Sequence, residues 1–348
     1  MRRAWHRLEP EERPLLWSWH MEAICDHLTA VSMGHLRNLV ISVPPGFSKS
    51  MLAAVMWQAW EWGPLDRPYT RVLTASYNYA LAERDASRFL RLIRSQWYQE
   101  RWPILLDRVT LRKIQTANGG FRMPTSIGGI ATGERADHFV VDDPLSAEQA
   151  NSAAERARAA RWIRESVPSR LVDARRSSIV IIAQRLHSDD VSGIALREMG
   201  FVELKLPMRY ERGGTARTPI GPGGRVIEGG YDWERRTVEG ELLEPQRFPE
   251  EDVRRLEAQM GPYAVAGQLQ QRPSPRGGGF IQIEQMEIVA DFPRNAAMVR
   301  VWDFAATTPG ITAADPDYTA GVLAAALDGI LYIVDVVRFR ADPGTVER

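Results

Sequence analysis

Lys49 and Ser50 are the residues of this chain best suited to chemistry. They close the stretch Leu39-Val40-Ile41-Ser42-Val43-Pro44-Pro45-Gly46-Phe47-Ser48-Lys49-Ser50. The apolar run reads as a short strand, Pro-Pro-Gly as a tight turn, and Lys-Ser as the opening of a helix that continues through Met51-Leu52-Ala53-Ala54-Val55. Strand, small-residue loop and Lys-Ser at a helix N-terminus form a phosphate cradle. Backbone N–H groups and the helix dipole face the anion, the lysine reaches the outer phosphates, and the hydroxyl can hold Mg²⁺. The usual pattern has Gly before the Lys and another at the loop start. Ser48 and Val43 stand there, and Gly46 is the glycine that remains. Lys-Ser after a turn is also an ordinary helix start, so the motif alone leaves both readings open.

A partner for such a cradle lies downstream, in His138-Phe139-Val140-Val141-Asp142-Asp143-Pro144. An apolar strand ending in two carboxylates is what a Mg-nucleotide enzyme needs beside its phosphate loop. Asp142 can hold the metal shell, and Asp143 can orient the attacking water or take its proton. By itself Asp-Asp-Pro is also a common turn or helix cap. The pairing with Lys49-Ser50 favours the catalytic reading. Ser178-Ile179-Val180-Ile181-Ile182-Ala183-Gln184-Arg185 is a second buried strand with polar groups at its end. Open parallel sheets place their chemistry at the carboxyl ends of strands.

The elements that position these residues alternate strand and helix. Arg71 to Ser76 reads as a buried strand, and Tyr79 to about Gln99 as a helix. Phe89, Leu92, Ile93 and Trp97 share one face of that helix, and Arg84, Arg88, Arg91 and Arg94 lie on a face read as solvated. Residues up to about 36, with Trp5, Trp17, Trp19 and His20, read as a helical, aromatic-rich N-terminal region. It either packs on the first strand or walls the base side of a nucleotide site, with His20 or a neighbour near the base. The Ala/Arg helix from Ala147 to about Glu165 presents Arg156, Arg158, Arg161 and Arg164, either to phosphates or to solvent. His187 to Asp190 caps a further helix, Val202 to Leu206 is a short strand, and the Gly/Pro/Arg-rich run from Gly213 to Gly230 reads as a flexible loop or lid. Pro249 to Gln271 is helical, and Arg272 to Gly279 reads as a linker. Three antiparallel strands follow: Met298 to Phe304 with Trp302-Asp303, then Thr319 to Leu327 and Ile330 to Arg338 around an Asp328-Gly329 turn.

Composition bounds the rest. With 348 residues the chain can hold two domains. Lys+Arg and Asp+Glu both number 44, which argues against a uniformly basic nucleic-acid coat but permits a local basic groove. Cys25 is the single cysteine, so an internal disulfide is excluded, and the six scattered His residues make a zinc hydrolase an unattractive reading. No apolar segment follows Arg2 and Arg3, so no signal peptide is expected. The apolar run from Gly321 to Val337 is broken by Asp328-Gly329 and reads as strands rather than a membrane helix.

Taken in order, the motifs resemble those of the large subunit of tailed-phage terminases, the DNA-packaging motor and nuclease. Val43 to Ser50 resembles the family's Walker A. Ser126-Ile127-Gly128-Gly129 through Thr132 to Asp137 resembles the segment leading to Walker B, and Val140 to Pro144 resembles Walker B itself. Ala183 to Asp190 is similar to the coupling motif. Phe248 to Gln271 resembles the segment before the nuclease, and Trp302-Asp303 with Asp317-Tyr318-Thr319 resembles the opening of an RNase H-like nuclease.

The resemblance implies an α/β fold: a P-loop ATPase with a mostly parallel central sheet flanked by helices, followed by the incomplete start of an RNase H-like domain. The divisions expected are 1–210 for the ATPase core, 211–280 for a lid and linker region, and 281–348 for the partial nuclease. It implies binding of ATP and Mg²⁺ through Gly46, Ser48, Lys49, Ser50 and Asp142. Asp143 is the implied catalytic acid, one methylene shorter than the family's usual Glu. Arg135 is the implied arginine finger serving a neighbouring subunit; a loop arginine in a surface ion pair is the other reading of it. Gln184 and Arg185 are the implied sensors that relay hydrolysis, and Asp303 the implied first nuclease ligand for Mg²⁺ or Mn²⁺. The implied partners are double-stranded DNA, a terminase small subunit, a portal protein and other copies of the chain in a ring. No membrane is involved, and the setting is the cytoplasm of a bacterial host. Because the later nuclease carboxylates are missing before Arg348, the nuclease is expected to be incomplete, and the alternative is an inactive prophage remnant that binds nucleotide or a partner without turnover. A helicase-like ATPase fits less well with the strands after residue 297.

Overall fold

The computed structural model describes residues 1–10, 12, 14–129, 133–274, 286–304 and 318–339. Ile130, Ala131 and Thr132 of the segment before Asp142, residues 275–279 of the expected linker, and Asp317 lie outside them. The chain divides into two compact units, Met1–Ile281 and Gln282–Arg348.

The first unit is built on an eight-stranded sheet. Its strands are β1 Asn38–Ser42, β2 Arg71–Ser76, β3 Leu106–Thr110, β4 Lys113–Thr116, β5 Phe121–Ser126, β6 His138–Asp142, β7 Ser178–Ala183 and β8 Val202–Lys205. They run in the order β3-β4-β5-β2-β6-β7-β1-β8. From β5 to β8 every pair is parallel, and the β3–β4–β5 edge is antiparallel. The mixed α/β fold with a mostly parallel sheet flanked by helices is the one expected.

Burial explains why these strands read as unbroken apolar runs. Leu39 and Ile41 of β1, Val140 of β6 and Val180 and Ile182 of β7 face one core with helix Trp19–Ser32 and helix Tyr79–Arg94. Val40, Phe139, Val141, Ile179 and Ile181 face the other core with helix Ala153–Arg161 and helix Val191–Glu198. A sheet covered on both faces has no polar side to alternate with. Each fully buried Ile of β7 contributes roughly 1.5–3 kcal/mol of transfer free energy.

Three regions differ from the sequence reading. Residues 106–126 form β3, β4 and β5, where the sequence reading placed no strand. Pro124 disguises β5: it pairs with Thr74 on the parallel side, and β4 pairs only with Phe121 and Arg122, so no partner needs its absent N–H. Residues 217–232 form a hairpin, β9 Arg217–Gly221 and β10 Arg225–Asp232, rather than a loose loop. It packs on helix Trp19–Ser32, where the His27 ring is 2.8 Å from Thr218 Oγ1 and a Cβ on Gly224 would lie 2.8 Å from the Ala30 nitrogen. In the N-terminal region a 3-10 turn, Arg2–Arg7, precedes helix Trp19–Ser32.

The second unit carries a three-stranded antiparallel sheet of β11 Ala297–Asp303, β12 Thr319–Leu327 and β13 Ile330–Phe339, in that order. Asp328 and Gly329, both at positive φ, make the β12–β13 turn. These are the three strands the sequence predicts.

Candidate functional site

The carboxyl ends of β1, β7 and β6 lie side by side, because β7 separates the other two. The loop after β1 turns through Gly46 at φ +87° and Ser48 at φ +63°. Lys49 and Ser50 then enter a helix that is π-helical over Met51–Met56 and α-helical over Trp57–Trp62. Every residue from Met51 to Met56 is buried, so the helix start is anchored in the core and the loop has little freedom. Phe47 is fully buried and stacks on Phe248 at 4.8 Å between ring centroids. A Cβ on Gly46 would lie 2.8 Å from Phe248 Cζ, so glycine is required there by both φ and space.

Across the site, Asp142 ends β6 and Asp143 follows at φ +42°. The Asp143 backbone is pinned from two sides: its N–H donates to Ile182 O at 2.9 Å, and its carbonyl accepts from Tyr77 N–H at 3.2 Å. The two elements meet through two contacts. Ser50 Oγ donates to Asp142 Oδ1 at 3.0 Å, and Lys49 Nζ forms an ion pair with Asp143 Oδ1 at 3.1 Å. The same Asp143 oxygen accepts the backbone N–H of Gln184 at 3.3 Å. Lys49, Ser50, Asp142, Asp143 and the start of the β7 loop are therefore one cluster.

Burial, with the nearby charges of Asp143 and Asp85, pushes the Asp142 carboxyl up to about 8, against the opposing pull of Lys49 and Ser50. A carboxyl that holds its proton this firmly is one that a cation would have to deprotonate.

The cluster opens into a cleft of about 750 Å³, large enough for a nucleotide. Gly46, Ser48, Lys49, Ser50 and Asp143 line it together with Trp5, Pro14, Leu16, Arg84, Gln246 and Arg247, among others. A smaller cavity of about 220 Å³ shares Ser50, Arg84 and Asp143 with the cleft and reaches Asp142 and Gln184. The Gln184 Oε1 atom is buried without a hydrogen-bond partner.

Sequence reasoning missed two contributors. Arg84, read as a solvated-face residue, lines both cavities. Asp85, only 2% exposed, grips it through Nε at 3.0 Å and NH2 at 3.3 Å. Its pKa is raised, first by that hydrogen bond, with Asp85 and Asp142 adding to it. The signal available was Asp85 itself, an acid on the buried side of an amphipathic helix. Gln246 and Arg247 come from a segment with no motif, and nothing in the sequence announced them. His20 is 1% exposed behind the loop, edge-on to Phe47 at 5.3 Å, and is not a wall of the cleft. Burial holds its pKa down near 4.

Two other expected site residues of the first unit lie apart from the cluster. Arg185 turns away from the cleft. Its Nε bonds both oxygens of Asp190 at 3.2 and 3.0 Å, and its backbone N–H donates to Gln271 Oε1 at 3.0 Å. Asp190 also caps helix Val191–Glu198 by accepting from Gly193 N–H at 2.7 Å. Arg135 is exposed and lines neither cavity. Asp303 is the last residue of β11, opposite Ala320 of β12, and is exposed. Among the described residues no group of three or more His, Cys, Asp and Glu could hold a metal ion, and no helix is long and apolar enough to cross a membrane.

No family model matches the chain, and no curated protein matches it. Among solved structures it is similar to the large terminase of the HK97 bacteriophage, at 14% identity over 97% of this chain and 68% of that one, with a TM-score of 0.49. It is also similar to the large terminase of a thermophilic bacteriophage, at 10% identity over 92% of this chain and 69% of that one, with a TM-score of 0.43. The same thermophilic-phage protein in complex with ADP gives a TM-score of 0.38 at 10% identity, over 92% and 69% of the two chains. These solved structures are phage large terminases, the family whose order of motifs the chain resembles.

Proposed function

We propose that this chain is the ATP-hydrolysing motor subunit of a phage terminase, acting on double-stranded DNA. The observation that carries the reading is the pair of contacts across the mouth of the cleft, Lys49 to Asp143 and Ser50 to Asp142. A lysine and a hydroxyl on a helix start face two strand-end carboxylates, beside a cavity of nucleotide size. That is the donor set a Mg-nucleoside triphosphate requires.

In this reading the loop from Gly46 to Ser50 presents its N–H groups to the β- and γ-phosphates, and Lys49 leaves Asp143 to meet them. Ser50 and Asp142 are the residues that would hold Mg²⁺, which when bound supplies neutralisation of phosphate charge. Asp143, released from Lys49, orients a water and takes its proton as the water oxygen attacks the γ-phosphorus. The bond to the β–γ bridging oxygen breaks, and ADP and phosphate leave. Arg84, held by Asp85, stabilises charge on the γ-phosphoryl oxygens from within the same chain. Arg135, exposed and remote from its own cleft, completes the site of a neighbouring copy in a ring. Gln184 shares its backbone N–H with Asp143 and passes the change to Arg185 and through Gln271 to the helix before the second unit. Movement of DNA, docking on a portal, assistance by a small subunit, work in a bacterial cytoplasm and metal binding at Asp303 belong to the same proposal.

The test is ATP hydrolysis by the purified chain, with and without duplex DNA, beside Lys49→Ala. Turnover lost in the variant supports the assignment. Turnover untouched by Lys49→Ala overturns it, and ATP binding without turnover in either protein points to the inactive remnant.

A further inference from the structure

We infer that a second cavity, lined by none of the residues of the nucleotide cleft, binds the phosphates of a nucleic-acid backbone. It encloses about 230 Å³ under helix Ala153–Arg161. Phe139 and Trp162, packed edge to face at 5.7 Å, form its apolar wall. Arg158, Arg161 and Arg170 supply its charge, against Glu165 in the lining and Glu155, whose Oε1 lies 3.6 Å from Arg158 NH1.

Arg164, on the same helical run, is held by both oxygens of Glu198 at 2.8 and 2.7 Å. Arg161 and Arg170 have no hydrogen-bond or ion-pair partner for their side chains among the described residues. The third guanidinium is positioned by the glycine loop that no catalytic role absorbed. Arg158 NH2 donates to Ile127 O at 3.4 Å, and it would lie 3.2 Å from a Cβ on Gly128, which sits at φ +73°. A side chain at 128 would strain the backbone there and displace the Arg158 guanidinium by a few tenths of an ångström.

The basic surface extends beyond the cavity. Ala136 N–H donates to Arg170 O at 2.8 Å, which brings exposed Arg135 beside Arg170. Exposed Arg175 and Arg176 follow on the turn before β7. The excess is local, in a chain of zero formal net charge, and Asp173, which accepts the backbone N–H groups of Arg175 and Arg176, offsets part of it; a bound polyanion would balance the remainder. A single phosphate would occupy the cavity alone. A run of cations continuing from it suits a repeating anion, and guanidinium groups are the side chains that bind phosphate bidentately. The choice of duplex DNA as that polyanion rests on the function proposed above; the anion site does not.

The experiment is binding of a short fluorescent DNA duplex to the full chain by anisotropy, repeated over a series of salt concentrations. Arg161→Ala/Arg170→Ala should flatten the slope of log affinity against log salt by about 2 and weaken binding about tenfold at low salt, equally for unrelated sequences. Arg161→Lys/Arg170→Lys keeps the charge and should keep most of the slope. Arg164→Ala should leave it unchanged. Thermal melts confirm that each variant folds. Lys49→Ala should bind DNA as the parent does, so loss of the nucleotide reading and loss of this one are separable. An unchanged slope in a folded Arg161→Ala/Arg170→Ala variant overturns the inference. So does a variant that binds DNA normally but loses ATP turnover only at high protein concentration, since the arginines would then serve a neighbour's nucleotide.

Discussion

Lys49 Nζ lies 3.1 Å from Asp143 Oδ1, with the lysine side chain 7% exposed and the aspartate 28%. The cation suited to an incoming phosphate is thus already satisfied by the carboxylate suited to a water. Any polyphosphate must compete with Asp143 for Lys49, and winning frees the base. Asp143→Asn removes the competitor. We expect nucleotide affinity measured by calorimetry to rise, while turnover falls by about 10²–10⁴, the usual worth of a positioned base. Affinity falling together with turnover would mean that Asp143 holds the ligand instead of contesting it.

Asp142 makes metal binding and stability depend on pH in opposite ways. Burial, Asp143 and Asp85 raise its pKa from 3.8 to about 8. A cation at Ser50 and Asp142 must displace that proton, so Mg²⁺ affinity should climb with pH and level off above about 8. For folding, the native carboxyl binds its proton where the unfolded one has lost it. This contribution is fully present below 3.8, shrinks as pH rises, and is gone above about 8. Asp142→Asn should therefore melt higher than the parent at alkaline pH, by about 2–4 °C for each kcal/mol relieved. The gap should close near pH 4, the unfolded-state value. A variant that melts lower at all pH values would show that the charged form is the native one.

Arg84 is separated from a structural role by which nucleotide it senses. Its guanidinium is oriented by the buried carboxylate of Asp85 and opens onto both cavities. If it meets the γ-phosphoryl group, Arg84→Ala keeps ADP affinity and loses rate, up to the factor of about 10³–10⁵ associated with such arginines. Arg84→Lys cannot reproduce the two-point hold of Asp85 and should recover little. Equal weakening of ADP and ATP would place Arg84 elsewhere on the ligand.

The stacked pair Phe47 and Phe248 ties the phosphate loop to the segment that leads into helix Glu250–Ala264. Gly46→Ala should drive a methyl into Phe248 and strain a φ of +87°, lowering nucleotide affinity tenfold or more, an energy of about 1.4 kcal/mol. Phe248→Ala should return part of that loss when combined with Gly46→Ala, because it removes the clash but not the strain. A double variant no better than Gly46→Ala alone would assign the whole cost to backbone conformation.

These relationships differ in how far the sequence exposed them. β1, β2, β6 and β7 were legible because strands buried on both faces are continuous apolar runs, and the two Asp residues at the end of β6 stood out for the same reason. β5 was hidden by Pro124 and by Arg122, a fully buried arginine that bonds Gln58 Oε1 at 3.1 Å and lies over the Phe89 ring. Such burial depends on partners brought from other elements. Gly223, Gly224, Gly229 and Gly230 suggested a loose loop, yet all four sit at positive φ within a hairpin, the first two at its turn and the last two where the register of β10 shifts. Arg84 looked solvated because periodicity reports which side of a helix is apolar, not which end of it meets a cavity. Arg185 was expected at the cleft from its place after β7. The neighbouring Asp190 carboxylate, five residues on, took its side chain instead.

Ser48 is the place where a departure from the usual motif has a measurable consequence. It occupies the left-handed region at φ +63°, where a side chain costs about 1–2 kcal/mol relative to the right-handed one. Glycine would remove that strain while adding roughly 0.5–1 kcal/mol of unfolded-state freedom. Ser48→Gly should therefore be mildly stabilising in the free chain, by less than about 1 kcal/mol. Nucleotide binding decides what the serine does beyond that. If the loop keeps its conformation on binding, the thermal shift produced by saturating Mg·ATP should be the same for Ser48→Gly and the parent. If the hydroxyl contacts phosphate, the variant should melt higher alone yet gain less from ligand. If the loop rearranges to relieve Ser48, the parent should gain more than the variant in both ADP and ATP. The second and third outcomes diverge in Ser48→Ala, which keeps the strain and loses the hydroxyl.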